Sequence, residues 1–524
     1  MQKTKILVVW IVVIVLAAIV FGLIWWYRQR PSPSTPSGPA ASPSPTAPSL
    51  QPSPSPIASE SPSPTRAPSV SPSPTLVPAA SPSPTPLDVN DVSFLWPVPQ
   101  TKADVDALIS LNDESADGKI FPAELFAKLI EEAKTVSVGN DKISFPNDAE
   151  FKNPANWKVA GIRVNPSALG SNPLALMQGG IIPSIRLIIQ PVTVDGDKFE
   201  IHDFTAHVVF LQTLPRPDKT KPFQPDSEAF NAVIKDLRGI KAFLAGAGVT
   251  TANQELNVHP AFRFAGGKRN EVPGFTEKVR ALLKTHLSSK RLGVISFMGI
   301  PGRFEPWIFF KVTVQNGNLA REPVSGNFLI SGQPKQPMSQ MISNKTGSLA
   351  EEPAPVPDAN ALFKGFGVGT ALLFRPDVAA HLNDDLFPGA TNEIARKLKL
   401  GHVADFIANP MFRNTGNTDC VSCHTETTQR RSGAARVAPD GIVFKHPAGI
   451  SKVAEAVLPN DKWNVRDFGW GFNFFVDKGF RATITQRAAN EAAESADLIN
   501  KGSLLAPVPQ PVAAITTQQD ALGH

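Results

Sequence analysis

From Ile6 to Tyr27 the chain reads ILVVWIVVIVLAAIVFGLIWWY, 22 residues with no charge and no polar face. As a helix rising about 1.5 Å per residue it spans roughly 33 Å, the thickness of a bilayer's hydrocarbon core. Trp25, Trp26 and Tyr27 stand where the headgroup interface falls, Arg28 and Arg30 follow them, and Lys3 and Lys5 flank the other end. A cleavable signal peptide has a shorter apolar region and a small-residue cleavage site. Residues 1–30 are therefore expected to be an uncleaved signal anchor, a single transmembrane helix whose partner is membrane lipid along 6–27.

The pattern then vanishes. Between Pro31 and Pro86 lie 19 of the 51 prolines, with SPSPT recurring at Ser42, Ser61, Ser71 and Ser81. Such a composition buries no core, so 31–87 is expected to be a disordered spacer. At about 3.1 Å per residue in polyproline II it reaches up to roughly 170 Å.

Periodicity returns near Leu87. Ile185, Leu187 and Ile189 alternate with Ser184, Arg186 and Ile188, Asp195-Gly196 supplies a turn, and Phe204, Ala206, Val208 and Phe210 resume the two-residue period. Half-buried antiparallel strands are predicted there, with His202 and His207 read as surface or satisfied core histidines. A helix follows, capped by Asp226 or Ser227, with Phe230, Val233, Ile234, Leu237, Ile240 and Leu244 on one stripe. A second helix over Phe275 to Leu287 precedes apolar strands at Leu292 to Ile300 and Trp307 to Val314. Strands and helices are grouped and not strictly alternating, which makes the class α+β. The expected division is 88–390 as an α+β domain of unknown role, 391–505 as a C-terminal segment, and 506–524 as a flexible tail.

Little chemistry marks the middle region. It has no nucleophile elbow and no phosphate loop, and Gly365-Phe-Gly367-Val-Gly369 reads as a plain loop. One stretch, Asp113 to Glu124, resembles an EF-hand loop: Asp113, Ser115 and Asp117 at positions 1, 3 and 5, a glycine at 6 and Glu124 at 12. The resemblance implies a Ca2+ ion held by those four residues. The same residues also suit a polar turn that caps a helix beginning around Pro122.

The sharpest motif is Cys420-Val421-Ser422-Cys423-His424, which uses both cysteines of the 524-residue chain. Two thiols at this spacing reach the two vinyl groups on one haem edge, and the adjacent imidazole reaches the iron. These five residues resemble the attachment motif of the c-type cytochromes. That resemblance implies covalent haem c on Cys420 and Cys423, His424 as proximal iron ligand, a cytochrome c-like C-terminal segment, and a globular part on the periplasmic side of the membrane. A thioredoxin-like dithiol, a zinc site completed by His446 with His424 or His402, and a structural disulfide are the other uses of such a pair. The methionine that follows the motif in small soluble cytochromes is missing here, since none lies beyond Met411. His446 and Met411 are the leading distal candidates, with Met298, Met338 and Met341 behind them.

From Trp463 to Phe475 six aromatics fall in thirteen residues, either one wall of a haem pocket or ordinary core, and Arg466 or Arg481 is a candidate propionate partner. A net charge of +5 without clustered basic residues excludes nucleic acid as an expected partner. Taken together the sequence predicts a membrane-anchored monohaem cytochrome that passes single electrons to a redox partner protein. The alternatives are a peroxidase-like haem enzyme with an open iron, and a non-redox tethered binding module with structural zinc or calcium.

Overall fold

The computed structural model describes residues 84–166, 182–214, 224–265, 268–302, 306–315, 317–324, 338–343, 348–351, 407–408, 410, 419–429, 453–459, 465–473 and 479–502. The segment 6–27, the Pro/Ser stretch up to residue 83, Gly365 to Gly369, the 390/391 division, Met411, His446 and the tail all lie outside the described residues. Among the described residues no helix is long and apolar enough to cross a membrane.

The alternating stretches form one antiparallel sheet of ten strands. They are β1 (Ser93–Leu95), β2 (Trp157–Asn165), β3 (Ser184–Asp195), β4 (Lys198–Ile201), β5 (Thr205–Leu211), β6 (Leu292–Gly299), β7 (Trp307–Gln315), β8 (Asn318–Glu322), β9 (Ser339–Ser343) and β10 (Ser348–Glu351). Their order is β1-β2-β3-β5-β6-β7-β9-β10, with β4 paired to β3 and β8 to β7. The α+β class and its antiparallel strands are as the sequence predicts.

Register decides what each face carries. Residues opposite one another on neighbouring strands point to the same side of a sheet. One face holds the row Phe94, Ile162, Leu187, Val208, Ile295 and Val312. It is apolar and is covered by helices α1 (Ala123–Thr135) and α3 (Phe275–His286), with α2 (Ser227–Gly246) packed beside α3. Phe126 of α1 meets Trp157 edge-on at 5.4 Å, Trp157 meets Phe297, and Phe275 of α3 lies against Phe94 and Trp96. The stripe of α2 that turns inward is the one its sequence period indicates, and Asp226 caps it by accepting from the Ala229 amide at 3.0 Å.

The opposite face carries Ile188, His207, Ser296 and Lys311 in one row and Arg163, Arg186 and Val209 in the next. A two-residue period with such polar positions predicts a solvated face. The structure differs: β5 is buried at every residue and β3 over its first nine. The cover is the C-terminal part of the chain, namely α4 (Cys420–Gln429), the hairpin β11 (Phe468–Asn473) with β12 (Gly479–Ile484), and α5 (Gln486–Asn500). Phe468, Trp470, Ile484 and Ala488 belong to the same hydrophobic core as the sheet.

Two glycines permit this docking. At Gly161, on β2, a Cβ would lie 2.5 Å from the Phe468 ring. Gly469 has φ of 144°, a conformation L side chains rarely adopt, and sits against Gln190. The Gln190 amide accepts from the Trp470 amide at 2.9 Å and donates to its carbonyl at 2.8 Å, so one side chain takes the place of a neighbouring strand. Gly161→Ala is expected to cost about 1–3 kcal/mol, because the fully buried Phe468 ring has nowhere to retreat. Urea unfolding measures it, and an unchanged midpoint would mean the hairpin is not seated on β2.

Candidate functional site

The C-x-x-C-H motif opens α4. Asp419 precedes it and caps it, its Oδ1 accepting from the Ser422 amide at 2.9 Å and its carbonyl from the Cys423 amide at 3.1 Å. The helix is fastened to the sheet by Gln340 of β9, whose Oε1 accepts from the Val421 amide at 3.2 Å. Its far end caps the next helix: Thr427 Oγ1 accepts from the Gln486 amide and Glu426 Oε1 from the Arg487 amide. This explains a helix whose residues Thr425 to Thr428 are all polar and all buried.

Both cysteines are free thiols. They are i and i+3 on one helix, hence on neighbouring positions of one face. A helix N-terminus ordinarily lowers a thiol's pKa. Here burial wins and, with Asp419 adding to it against Lys311, pushes Cys420 up to about 12. Burial also pushes Cys423 well above the ordinary thiol value, Arg487 opposing it only in part. A dithiol that attacks disulfides needs the reverse, a thiolate near neutral pH.

His424 is buried, and its Nδ1 lies 2.7 Å from the carbonyl of Val465. A carbonyl only accepts, so Nδ1 carries the proton. Burial lowers the pKa of the ring, opposed by Asp467 and by the Val465 bond, which keeps the imidazole neutral and leaves Nε2 as a bare lone pair. Against the His424 ring stand Phe309 of β7, 5.0 Å between centroids, and His207 of β5, 5.8 Å away at a 35° tilt. Lys311, buried on the same face and close to Cys420, makes no hydrogen bond among the described residues.

The site is held by buried charge. Glu491 of α5 pairs with Arg163 of β2 at 2.6 Å and with Arg487 at 2.6 Å, and Arg186 of β3 approaches to 3.9 Å. Burial works against the ionised carboxylate, but Arg163, Arg487 and Arg186 outweigh it and hold Glu491 well below the ordinary carboxylate range. A second clamp lies nearby. Arg466 pairs with Asp203 at 2.6 Å and also donates to the Trp470 carbonyl and to Met298 Sδ.

The structure places the other sequence-predicted residues as follows. Arg466 is committed to Asp203, and Arg481 donates to the Leu458 carbonyl at 3.0 Å. Phe468 and Trp470 serve the core between hairpin and sheet. Met298 is engaged by Arg466, and Met341 pairs opposite Ile308 on the apolar face, away from α4. His202 donates to or accepts from Thr193 at 2.8 Å, a satisfied histidine as expected. His207 differs: its Nε2 is buried without a hydrogen-bond partner among the described residues. Sequence reasoning missed it because only the strand register sets it opposite His424.

Three of the four residues of the calcium-like loop, Asp113, Ser115 and Asp117, make hydrogen bonds within the fold. Asp113 accepts from Arg280 at 2.8 Å and from Ser110 at 2.8 Å. Asp117 accepts from the Ser288 hydroxyl and from the amide and hydroxyl of Ser289. Ser115 donates to Asp117 and to the Lys119 carbonyl within a tight hairpin (Glu114–Ser115 with Gly118–Lys119), and Glu124 is exposed in the first turn of α1. Among the described residues no group of three or more His, Cys, Asp or Glu is placed to hold a metal ion.

Residue by residue, the described part of the site has the donor set that a thioether-bound haem would need at its attachment edge: two neutral thiols three residues apart on one helix, and an imidazole whose proton is fixed on Nδ1, leaving Nε2 as the nitrogen that could bind a metal. Comparison of the chain with protein-family models, curated proteins and solved structures finds no match.

Two outcomes test this description. Glu491→Ala leaves three buried guanidinium groups short of their carboxylate and is expected to cost about 3–5 kcal/mol in denaturant unfolding; a cost below about 1 kcal/mol would show the network to be solvated. For Asp117, burial alone would raise the carboxyl, but hydrogen bonds from Ser288, Ser289 and Ser115 together pull it from 3.8 to about 2. A depressed carboxyl stabilises above its unfolded pKa. Wild type is therefore expected to exceed Asp117→Ala by about 1 kcal/mol above roughly pH 4, the gap closing as pH falls toward 2. Thermal melts at several pH values read this directly.

Proposed function

We propose that this chain is a membrane-anchored monohaem c-type cytochrome of the bacterial cell envelope, carrying single electrons between a donor and an acceptor protein. Residues 6–27 would hold it in the membrane, the Pro/Ser stretch would set its reach, and the globular part would work on the periplasmic side. The observation that carries the reading is the hydrogen bond from His424 Nδ1 to the Val465 carbonyl, beside two thiols that burial keeps protonated. A metal-binding histidine typically donates its other ring N–H in this way, which fixes the tautomer and strengthens the ligating nitrogen.

When bound, haem supplies a one-electron iron couple. The chain's own residues do the rest. Cys420 and Cys423 hold the group by its edge, and His424 presents Nε2 to the iron from a helix pinned at Gln340. Phe309 excludes water beside the imidazole, and a buried setting of this kind tunes the potential.

The test is expression with the cytochrome c maturation machinery. The purified protein is expected to stain for haem on a denaturing gel and to be heavier than its polypeptide by one haem. Cys423→Ser is expected to lose the second thioether and most of the stain. A wild-type band without stain, at the bare polypeptide mass, overturns the proposal.

A further inference from the structure

We infer that His207 is the second axial ligand, so that the iron is held between two imidazoles, one from the sheet and one from α4. This rests on the haem reading above and goes beyond it, since neither a sheet residue nor a residue so far upstream belongs to the attachment motif.

His207 sits in the middle of β5, between Ile188 of β3 and Ser296 of β6 in the strand register. It is 8% exposed, and its Nε2 is buried with no hydrogen-bond partner among the described residues. Leaving a buried polar nitrogen unpaired costs about 1–3 kcal/mol, so a neutral histidine in such a place calls for a partner. The ring beside it is that of His424, 5.8 Å between centroids. Two imidazole nitrogens each about 2 Å from one metal, on opposite sides of it, put their ring centroids about 6 Å apart. The sheet face supplies the remaining conditions. Ser296 and Lys311 share the row of His207, and the carboxylate that ends it, Glu322 of β8 opposite Lys311, lies three strands from His207 and accepts from the Thr313 hydroxyl at 3.1 Å. Among the methionines, Met298 gives its sulfur to Arg466, and Met341 lies on the other face.

Two imidazoles fill the iron's axial positions. Peroxide then has no open site to bind, which favours outer-sphere electron transfer over peroxidase chemistry. The couple should also lie below that of a His/Met centre, since methionine ligation raises the potential.

The experiment uses the full-length, haem-loaded protein. Wild type is expected to show a low-spin EPR spectrum, no methionine-to-iron charge-transfer band, and no rapid carbon monoxide binding in the ferrous state. His207→Ala is expected to keep its covalent haem, turn high-spin, bind carbon monoxide, and return to low spin when free imidazole is added. His207→Met, close in volume, covers the case in which the alanine variant fails to fold; it is expected to gain the charge-transfer band and a higher midpoint potential. If His207→Ala or His207→Met carries haem with the wild-type spectrum, the ligand assignment is overturned and the cytochrome reading stands. If wild type carries no covalent haem, both fall.

Discussion

One carboxylate makes the architecture possible. Glu491 lies in a helix more than three hundred residues downstream of β2, yet it is the anion that Arg163 and Arg186 require if their sheet face is to leave water. An unpaired buried guanidinium would be expensive, and so would an unpaired buried carboxylate. Brought together with Arg487, and with Asp467 3.7 Å from Arg163, they form a buried charge cluster that lets a polar sheet surface be covered by the C-terminal elements. The seating of α4, and with it the geometry of Cys420, Cys423 and His424, follows from that cluster. Arg466 with Asp203 repeats the device at the hairpin, where Trp307 also donates to the same aspartate.

The parts of the fold that were legible in the sequence are those governed by local period. Helix α2 and its buried stripe, helix α3, and the strands around Leu187, Val208, Ile295 and Val312 can be read from spacing alone. What spacing misjudged was the environment of the alternate positions. Arg186, His207 and Lys311 look solvent-facing because their neighbours in sequence are apolar. Arg186 meets Glu491 and His207 meets His424, both far along the chain, while Lys311 lies opposite Glu322 on β8. A period of two reports two distinct faces and is silent on whether the polar one finds polar company.

The site divides along the same line. Cys420, Cys423 and His424 announce themselves because the chemistry that needs them also fixes their separation. His207 carries no such mark, and its significance appears only when β5 is placed under α4. The Asp113 to Glu124 stretch teaches the converse. Its oxygens have the spacing of a cation loop, but Arg280, Ser288 and Ser289 from α3 and the turn after it use them as anchors. Spacing along a chain lists donors without saying who receives them.

Leu87, near the start of the described residues, and the last described helix are joined directly. The Leu87 amide donates to Asn500 Oδ1 at 2.8 Å, and the Asn500 side-chain amide returns a bond to the Leu87 carbonyl at 2.8 Å. The start of the described fold is thus buckled to its last helix. A pull applied at Leu87 is shared at once by helix α5, whose Glu491 grips the sheet from within. The element that bears such a load is also the one packed against α4, so strain at this end of the fold is felt beside Cys420, Cys423 and His424.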